Sequence, residues 1–267
     1  MVVGHAHAPP VTAGRGPVGS GPGEVSGQRL EDEDLPPDTV GLLEGLTTTR
    51  AIRRYRDAPV PPEALRAILF AATRAPSGSN RQPFRLVVLT DGDRAAQAKS
   101  LVGTNARRLW GAKRRGDAYD GGSGTDRASP KARLADAMGV SVERFETVPV
   151  LIFACLVRYR EPTPTEGASV YPAVQNLLLA ARALGYGGVL TGWHHGVEPE
   201  LKALLGIPDE VALAATITLG VPAGGHGPVR RRPMNELVFG DRWGRPPPWA
   251  VDPPGTRHTS AGPPPGR

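Results

Sequence analysis

"AATRAPSGSNRQPFRLVVL", residues 71 to 89, changes character twice within nineteen residues. It closes a stretch in which Leu65, Ile68, Leu69 and Ala72 keep the i, i+3, i+4, i+7 spacing of one helix face. Pro61-Pro62 opens that helix in its first turn, where a missing N–H costs nothing, and Pro76 ends it. Pro76-Ser77-Gly78-Ser79-Asn80 follows as a small, polar loop with exposed backbone. Residues 84 to 89 then read as a strand, bounded by Thr90-Asp91-Gly92. A connector explains such a loop. So does a backbone that must lie against something flat.

Upstream, residues 47 to 55 read as a helix end and a turn, with Leu42, Leu43 and Leu46 as the apolar side of that helix. Downstream, residues 94 to 110 form a helix, 111 to 130 a polar loop and 131 to 138 a short helix. The 93–147 region therefore reads as an irregular insertion, a lid or binding loop. PVLIFACLV, residues 149 to 157, is a near-continuous apolar strand buried on both faces. SVYPAVQNLLLAARAL, residues 169 to 184, is the strongest helix, and it is apolar on more than one side. Such a helix is central or lies in a subunit interface, and its Gln175 and Asn176 need partners where buried. Residues 187 to 191 form a short strand, 199 to 205 a helix and 211 to 220 a further strand. Helices and strands in this order give an α+β or α/β fold around one central sheet.

Composition bounds the rest. Over 267 residues, 39% are apolar, enough for one substantial core. The high Gly and Pro content (34 and 29 residues) concentrates at the ends. Residues 1–28 and 245–267 lack periodicity and large apolar groups, and both are expected to be disordered tails around one domain over 29–244. No basic segment precedes an apolar run at the start, and the longest apolar run is too short to span a bilayer. A cytoplasmic location is expected, with no membrane partner. The lone Cys155 excludes a disulfide framework, and its apolar setting marks a buried structural thiol.

The net charge of +6 raises the question of nucleic acid, but no recognition helix, finger or aromatic RNA platform accompanies the scattered cations. Small Arg clusters far apart suit a phosphorylated small molecule equally well. Gly14-Arg15-Gly16-Pro17-Val18-Gly19 matches a dinucleotide fingerprint by letters, but no strand precedes it and no helix follows. His194-His195 follow Trp193 at a strand end, where neighbouring side chains point to opposite faces, so a shared metal is not expected. A substrate-side or structural role suits this segment better, and Trp193 and His194 are the substrate-side candidates. Three segments stand out together. They are Arg50-Ala51-Ile52-Arg53, with guanidinium groups for phosphate or a ring carbonyl, the 76–80 loop, and Arg230-Arg231-Arg232.

TTRAIRRYRDAPVPPEALRAILFAATRAPSGSNRQPFRLVVL, YPAVQNLLLAARALGYGGVLTGW, LLGIP, TLGVP and RRRPMNELV, in that order, resemble the FMN-dependent nitroreductase family over about residues 42 to 240. The resemblance implies an α+β fold, an α/β/α sandwich on a mixed, mostly antiparallel sheet, and an intertwined homodimer with two FMN molecules at its interface. It implies that Arg50 and Ala51 face the FMN phosphate, that Arg53 lies near the pyrimidine edge, and that Pro76, Ser77, Gly78, Ser79, Asn80 and Gln82 contact the flavin. Leu190, Thr191 and Gly192 would present a backbone N–H toward flavin N5, and Arg231, with Arg230 as alternative, would hold phosphate. No side chain would serve as a general acid. The implied activity is ping-pong hydride transfer from NADH or NADPH to a nitroaromatic, quinone or related conjugated small-molecule acceptor. The alternatives are a flavin-dependent dehydrogenase or oxidase tailoring a small metabolite, and a non-catalytic flavin-binding protein. Several positions depart from the family pattern. Ala51 stands for a frequent Ser, Thr49 for an Arg, Ser79 for a Gly and Phe84 for a Trp.

Overall fold

The structure, a computed structural model, describes residues 35–259. The expected N-terminal tail, the Gly-rich letters at 14–19 and the last residues of the chain lie outside the described residues. The elements run α1 (Leu42–Thr48), α2 (Pro62–Thr73), β1 (Phe84–Leu89), α3 (Asp93–Gly116), α4 (Pro130–Glu143), β2 (Val150–Val157), α5 (Tyr171–Ala183), β3 (Gly187–Thr191), α6 (Glu198–Leu205) and β4 (Val211–Gly220). Among the described residues, no helix is long and apolar enough to cross a membrane.

The four strands form one sheet in the order β1-β2-β4-β3, each pairing antiparallel. β2 is interior and buried from Val150 through Leu156, as its unbroken apolar run requires. Alternation sorts its side chains onto two faces. Val150, Ile152 and Ala154 join Ala215, Ile217 and Leu219 of β4 in one core, packed against Ile68 and Ala72 of α2 and Ala173, Val174 and Leu177 of α5. Leu151, Phe153 and Cys155 join the opposite core with Ala98 and Val102 of α3, Phe145 and Leu201 of α6. Each large apolar side chain withdrawn from water in this way contributes about 1.5–3 kcal/mol. The result is an α/β/α sandwich. A bulge at Ala154/Cys155 leaves Ala214 as an extra residue on β4, which is why Leu213 and Ala215 reach opposite cores.

α5 is central: α2, β3 and α1 pack around it, its Gln175 is exposed, and Asn176 donates to Ala71 O at 3.3 Å. Burial drives the Cys155 thiol up to about 11, as befits a structural residue.

Two expectations are corrected. The 93–147 region is a helical hairpin, not an irregular loop. α3 continues to Gly116 because Lys113, Arg114 and Arg115 fill its last turn, where cations favour the helix dipole. α4 starts at Pro130 under a Ser129 cap that accepts from Ala132 N at 3.0 Å. Ala106, Trp110, Ala135, Met138 and Val142 give the hairpin a small core of its own. The expectation of disorder also fails over residues 245–259. Asp252 accepts from Met234 N at 2.9 Å, Thr259 N donates to Arg231 O at 2.9 Å, and Gly240 N donates to Arg245 O at 2.9 Å. α1 differs in another way, since Leu42 and Leu43 remain 70% and 77% exposed on the single chain.

Two glycines show how closely the sheet is covered. A Cβ on Gly188 would stand 2.6 Å from the Thr218 carbonyl oxygen, a backbone atom that cannot yield, whereas one on Gly139 in α4 would meet open space. Gly188→Ala should therefore destabilise the protein by about 1–3 kcal/mol. Gly139→Ala should stabilise it by roughly 0.5–1 kcal/mol through helix propensity. Urea unfolding of both variants checks the opposite signs.

Candidate functional site

Residues 50–56 lie along the end of the β3–β4 pair. Ile52 N donates to Gly188 O at 3.0 Å, Arg56 N to Val221 O at 2.8 Å, and Ala223 N to Arg54 O at 3.0 Å. The approach needs glycine. A Cβ on Gly187 would stand 2.6 Å from Ile52, and one on Gly220 would stand 2.9 Å from the Tyr55 ring. Tyr55 locks the segment, its hydroxyl lying 2.8 Å from Ile52 O and 2.7 Å from Thr218 Oγ1. Burial raises its pKa well above the ordinary phenol value.

This anchoring leaves Arg53 half-buried, with its Nε enclosed and without a hydrogen-bond partner. Burial lowers the guanidinium from its ordinary value, against the opposing influence of Tyr55. A desolvated cation with an unmet donor is costly, and an acceptor placed there removes the cost.

Arg50 is exposed, and its N–H donates to His226 Nδ1 at 3.4 Å while His226 Nε2 lies 3.1 Å from Tyr186 O. Gly227 N and Val229 N donate to the carbonyls of Thr48 and Thr47, which brings the 230–232 arginines to the same side as Arg50. Arg230 and Arg231 are exposed there, while Arg232 is committed to Glu236 at 2.9 Å. Leu190 and Thr191 lie on β3, the edge strand of the same side, and Thr191 Oγ1 donates to Thr216 O at 3.2 Å. Ala51 is exposed between the two arginines.

The 76–82 loop is built differently. Ser79, Asn80 and Gln82 all hold positive φ (51°, 51° and 49°), a region that Asn tolerates but that strains Ser and Gln. Ser77 Oγ accepts from Gln82 N at 2.8 Å, Gly78 N donates to Ser169 Oγ at 3.3 Å, and Gln82 Nε2 donates to Asn80 Oδ1 at 3.1 Å. Strain held in place by surrounding bonds is a mark of functional loops.

The structure does not bring this loop to Arg50 and Arg53 within one chain. The loop enters β1 at Phe84, opposite Leu156, whereas Ile52 joins β3 at Gly188, opposite Leu219 and thus near Val150. The two are at diagonal corners of the sheet, about 25 Å apart from strand spacing and rise.

Beyond β3 the expectation for His194 is corrected. Residues 193–196 form a turn, so the strand alternation that separates neighbouring side chains no longer applies, and the two imidazole rings lie 4.2 Å apart. His194 is fully buried, with Nδ1 2.9 Å from Thr216 Oγ1 and Nε2 without a partner. It presents no surface in the single chain. Burial, with His195 as a lesser cause, lowers its pKa to about 4. Trp193 is partly buried between the α3 core and the hairpin core. Sequence reading missed the residue that fixes this turn. Asn105, on the buried side of α3, donates through Nδ2 to both Trp193 O and His195 O at 2.7 Å, and its Oδ1 accepts from Arg108 Nη2 at 2.7 Å. The available signal was a lone amide within an apolar helix face.

The model of the Nitroreductase family matches residues 46–221, from within α1 to just past β4. The chain belongs to that family. A curated NADH dehydrogenase of Thermus thermophilus is 34% identical over 221 residues, covering 75% of this chain and 98% of the relative. An Archaeoglobus fulgidus protein described as a putative NADH dehydrogenase/NAD(P)H nitroreductase is 29% identical, covering 67% and 84%. Among solved structures, a putative nitroreductase from Desulfovibrio desulfuricans in complex with FMN superposes with a TM-score of 0.54 at 27% identity, covering 76% of this chain and 97% of that one. In this chain the arginines at 230–232 and the folded segment through residue 259 lie beyond the family match.

Two outcomes follow from these geometries. Ser79→Gly removes a side chain from a left-handed residue and should raise stability by about 1 kcal/mol, read by thermal unfolding. His194 is neutral when buried and protonates more readily when unfolded. Its contribution is therefore complete above about pH 6.5 and declines as pH falls toward 4. The loss is on the order of 3 kcal/mol across that window. His194→Gln should flatten that part of the stability–pH curve.

Proposed function

We propose that this chain is an FMN-dependent oxidoreductase that uses NADH or NADPH to reduce a nitroaromatic, quinone or related conjugated acceptor, and that it works as a homodimer. The observation that carries this reading is Arg53, a half-buried guanidinium whose enclosed Nε has no acceptor, beside an open strand edge. An electron-rich heterocycle edge meets that need, and the exposed Arg50 and Arg231 suit a phosphate at its other end. FMN bound there supplies the hydride-transfer chemistry, which belongs to the cofactor and not to a side chain.

The protein residues then have separate tasks. Arg50, with Arg231 or Arg230, holds phosphate. Arg53 places positive charge near the pyrimidine edge, and so favours negative charge developing there. Leu190, Thr191 and Gly192 line the ring along β3. The strained 76–82 loop offers backbone and the Asn80 amide to a flat surface, but only from the opposite corner of the sheet. A second copy of the chain supplies that half. The exposed Leu42 and Leu43 of α1 give such a copy an apolar face to cover.

The two arginines separate by experiment. Arg50→Ala should weaken FMN binding by about 1.5–3 kcal/mol, with activity restored by added FMN. Arg53→Ala should lower the flavin midpoint potential and slow its reduction even at saturating FMN. Equal behaviour of the two variants refutes the assignment. The shared site is tested by mixing an inactive Arg50→Ala/Arg53→Ala chain with an inactive chain altered at Asn80 and Gln82. Subunit exchange should regenerate activity, because one of the two sites in each mixed dimer receives both intact halves. No recovery in verified mixed dimers would place the whole site in one chain.

A further inference from the structure

Beside the 76–82 loop a small, half-open cleft of about 30 Å³ lies among Pro83, Tyr159, Arg160, Thr165, Glu166 and Ser169. Its carboxylate is already spent. Arg158 grips Glu166 with Nε 3.1 Å from Oε2 and Nη2 2.7 Å from Oε1. Two other guanidinium groups lie over the Tyr159 ring, Arg81 at 4.8 Å and Arg160 at 5.4 Å from its centroid. They are thus within about 10 Å of each other, a distance comparable to the screening length of about 10 Å at 0.1 M salt, so part of their mutual repulsion survives. Neither is within ion-pair distance of a carboxylate among the described residues, although Arg160 helps Arg158 hold the Glu166 carboxyl below its ordinary value, which leaves Arg81 the less compensated of the two. The ring offsets part of their repulsion, about 0.5–1 kcal/mol for each exposed contact. An anion between them would offset the rest.

We propose that this cleft binds an anionic group, the carboxylate or phosphate oxygens of a reactant brought to the neighbouring loop. Guanidinium forks match both groups, and the Tyr159 ring beneath them holds the two forks near the cleft. The cleft is joined to the loop by covalent and hydrogen bonds. Arg81 follows Asn80, Pro83 follows Gln82, Pro83 O accepts from Val157 N at 2.8 Å, and Ser169 Oγ accepts from Gly78 N. The inference rests on reading that loop as a flavin contact. The anion would then belong to the molecule stacked on the ring, either the nicotinamide nucleotide or an acidic acceptor.

The test is an Arg81→Ala/Arg160→Ala variant, first checked for unchanged flavin content and spectrum. KM is then measured for NADH, NADPH, nitrobenzene and 4-nitrobenzoate. For the anionic reactant the KM should rise about tenfold or more, the fold-change of one lost charged hydrogen bond, with kcat nearly unchanged. The rise should shrink at high salt, and Arg81→Lys/Arg160→Lys should recover part of it. A rise for both nicotinamides assigns the pyrophosphate, for NADPH alone the additional phosphate, and for 4-nitrobenzoate alone a carboxylate on the acceptor. KM values all within twofold of wild type, or an equal rise for neutral nitrobenzene, overturn the proposal. A flavin-independent arm separates it from the broader functional reading. Phenylglyoxal modification of Arg81 and Arg160 in the wild-type protein, located by mass spectrometry, should be slowed by pyrophosphate or benzoate. Lack of protection by either overturns the cleft whether or not the protein carries flavin.

Discussion

The rest of the structure depends on the double burial of β2. A strand apolar at every position from Val150 to Leu156 satisfies neither face unless helices cover both, and α2 with α5 on one side and α3 with α6 on the other do so. With both faces closed, a ligand must approach the sheet at its edges or ends. β1 and β3 are those edges, and the chain treats them differently. At β3 the 50–56 segment is hydrogen-bonded to the strand end and leaves Arg53 with an unmet donor. At β1 the chain arrives through three left-handed residues. The separation of these two segments at opposite corners is a consequence of closing the faces.

What was legible in the sequence follows from periodicity and punctuation. α2, β1, β2, β3 and β4 fall where spacing, Pro and Gly put them, because burial imposes those periods. α3 was read too short, since Lys113, Arg114 and Arg115 look like loop while they serve the end of a helix. The segment through residue 259 was read as disordered because it lacks apolar periodicity. It is held instead by backbone donors to Asp252 and to the Arg231 carbonyl, which leave no compositional trace. The strand alternation that separates His194 from His195 in the sequence reading does not apply, because the strand ends at Thr191. The arginines and the 76–82 loop could be named from their resemblance to the family, but not their separation. That is a property of strand order, which no local pattern encodes.

Ser79 shows how a departure from the family pattern acquires physical content. A Gly at that position carries φ near +51° without cost, while Ser does not. The surrounding bonds, Ser77 Oγ to Gln82 N and Ser169 Oγ to Gly78 N, hold the conformation in spite of it. Preorganisation of this kind lowers the entropy lost when a flat ligand settles on the loop. The hydroxyl at residue 79 also adds a polar group to a surface that glycine would leave bare, so the strain is coupled to a new hydrogen-bonding option.

Asn105 links the α3–α4 hairpin to the other half-site. Its amide is saturated, with two donations to the Trp193 and His195 carbonyls and the Arg108 fork on its oxygen, and at 3% exposure no water competes. A buried amide so engaged permits one position of the turn. Gly192, the last residue of the segment proposed to line the ring, immediately precedes that turn, and Trp193 packs into the hairpin's core as well as the main one. A shift of α3 along its axis would therefore be felt at Gly192 through two carbonyls and one indole. The hairpin thereby sets where the end of β3 stands, without contributing a residue to it.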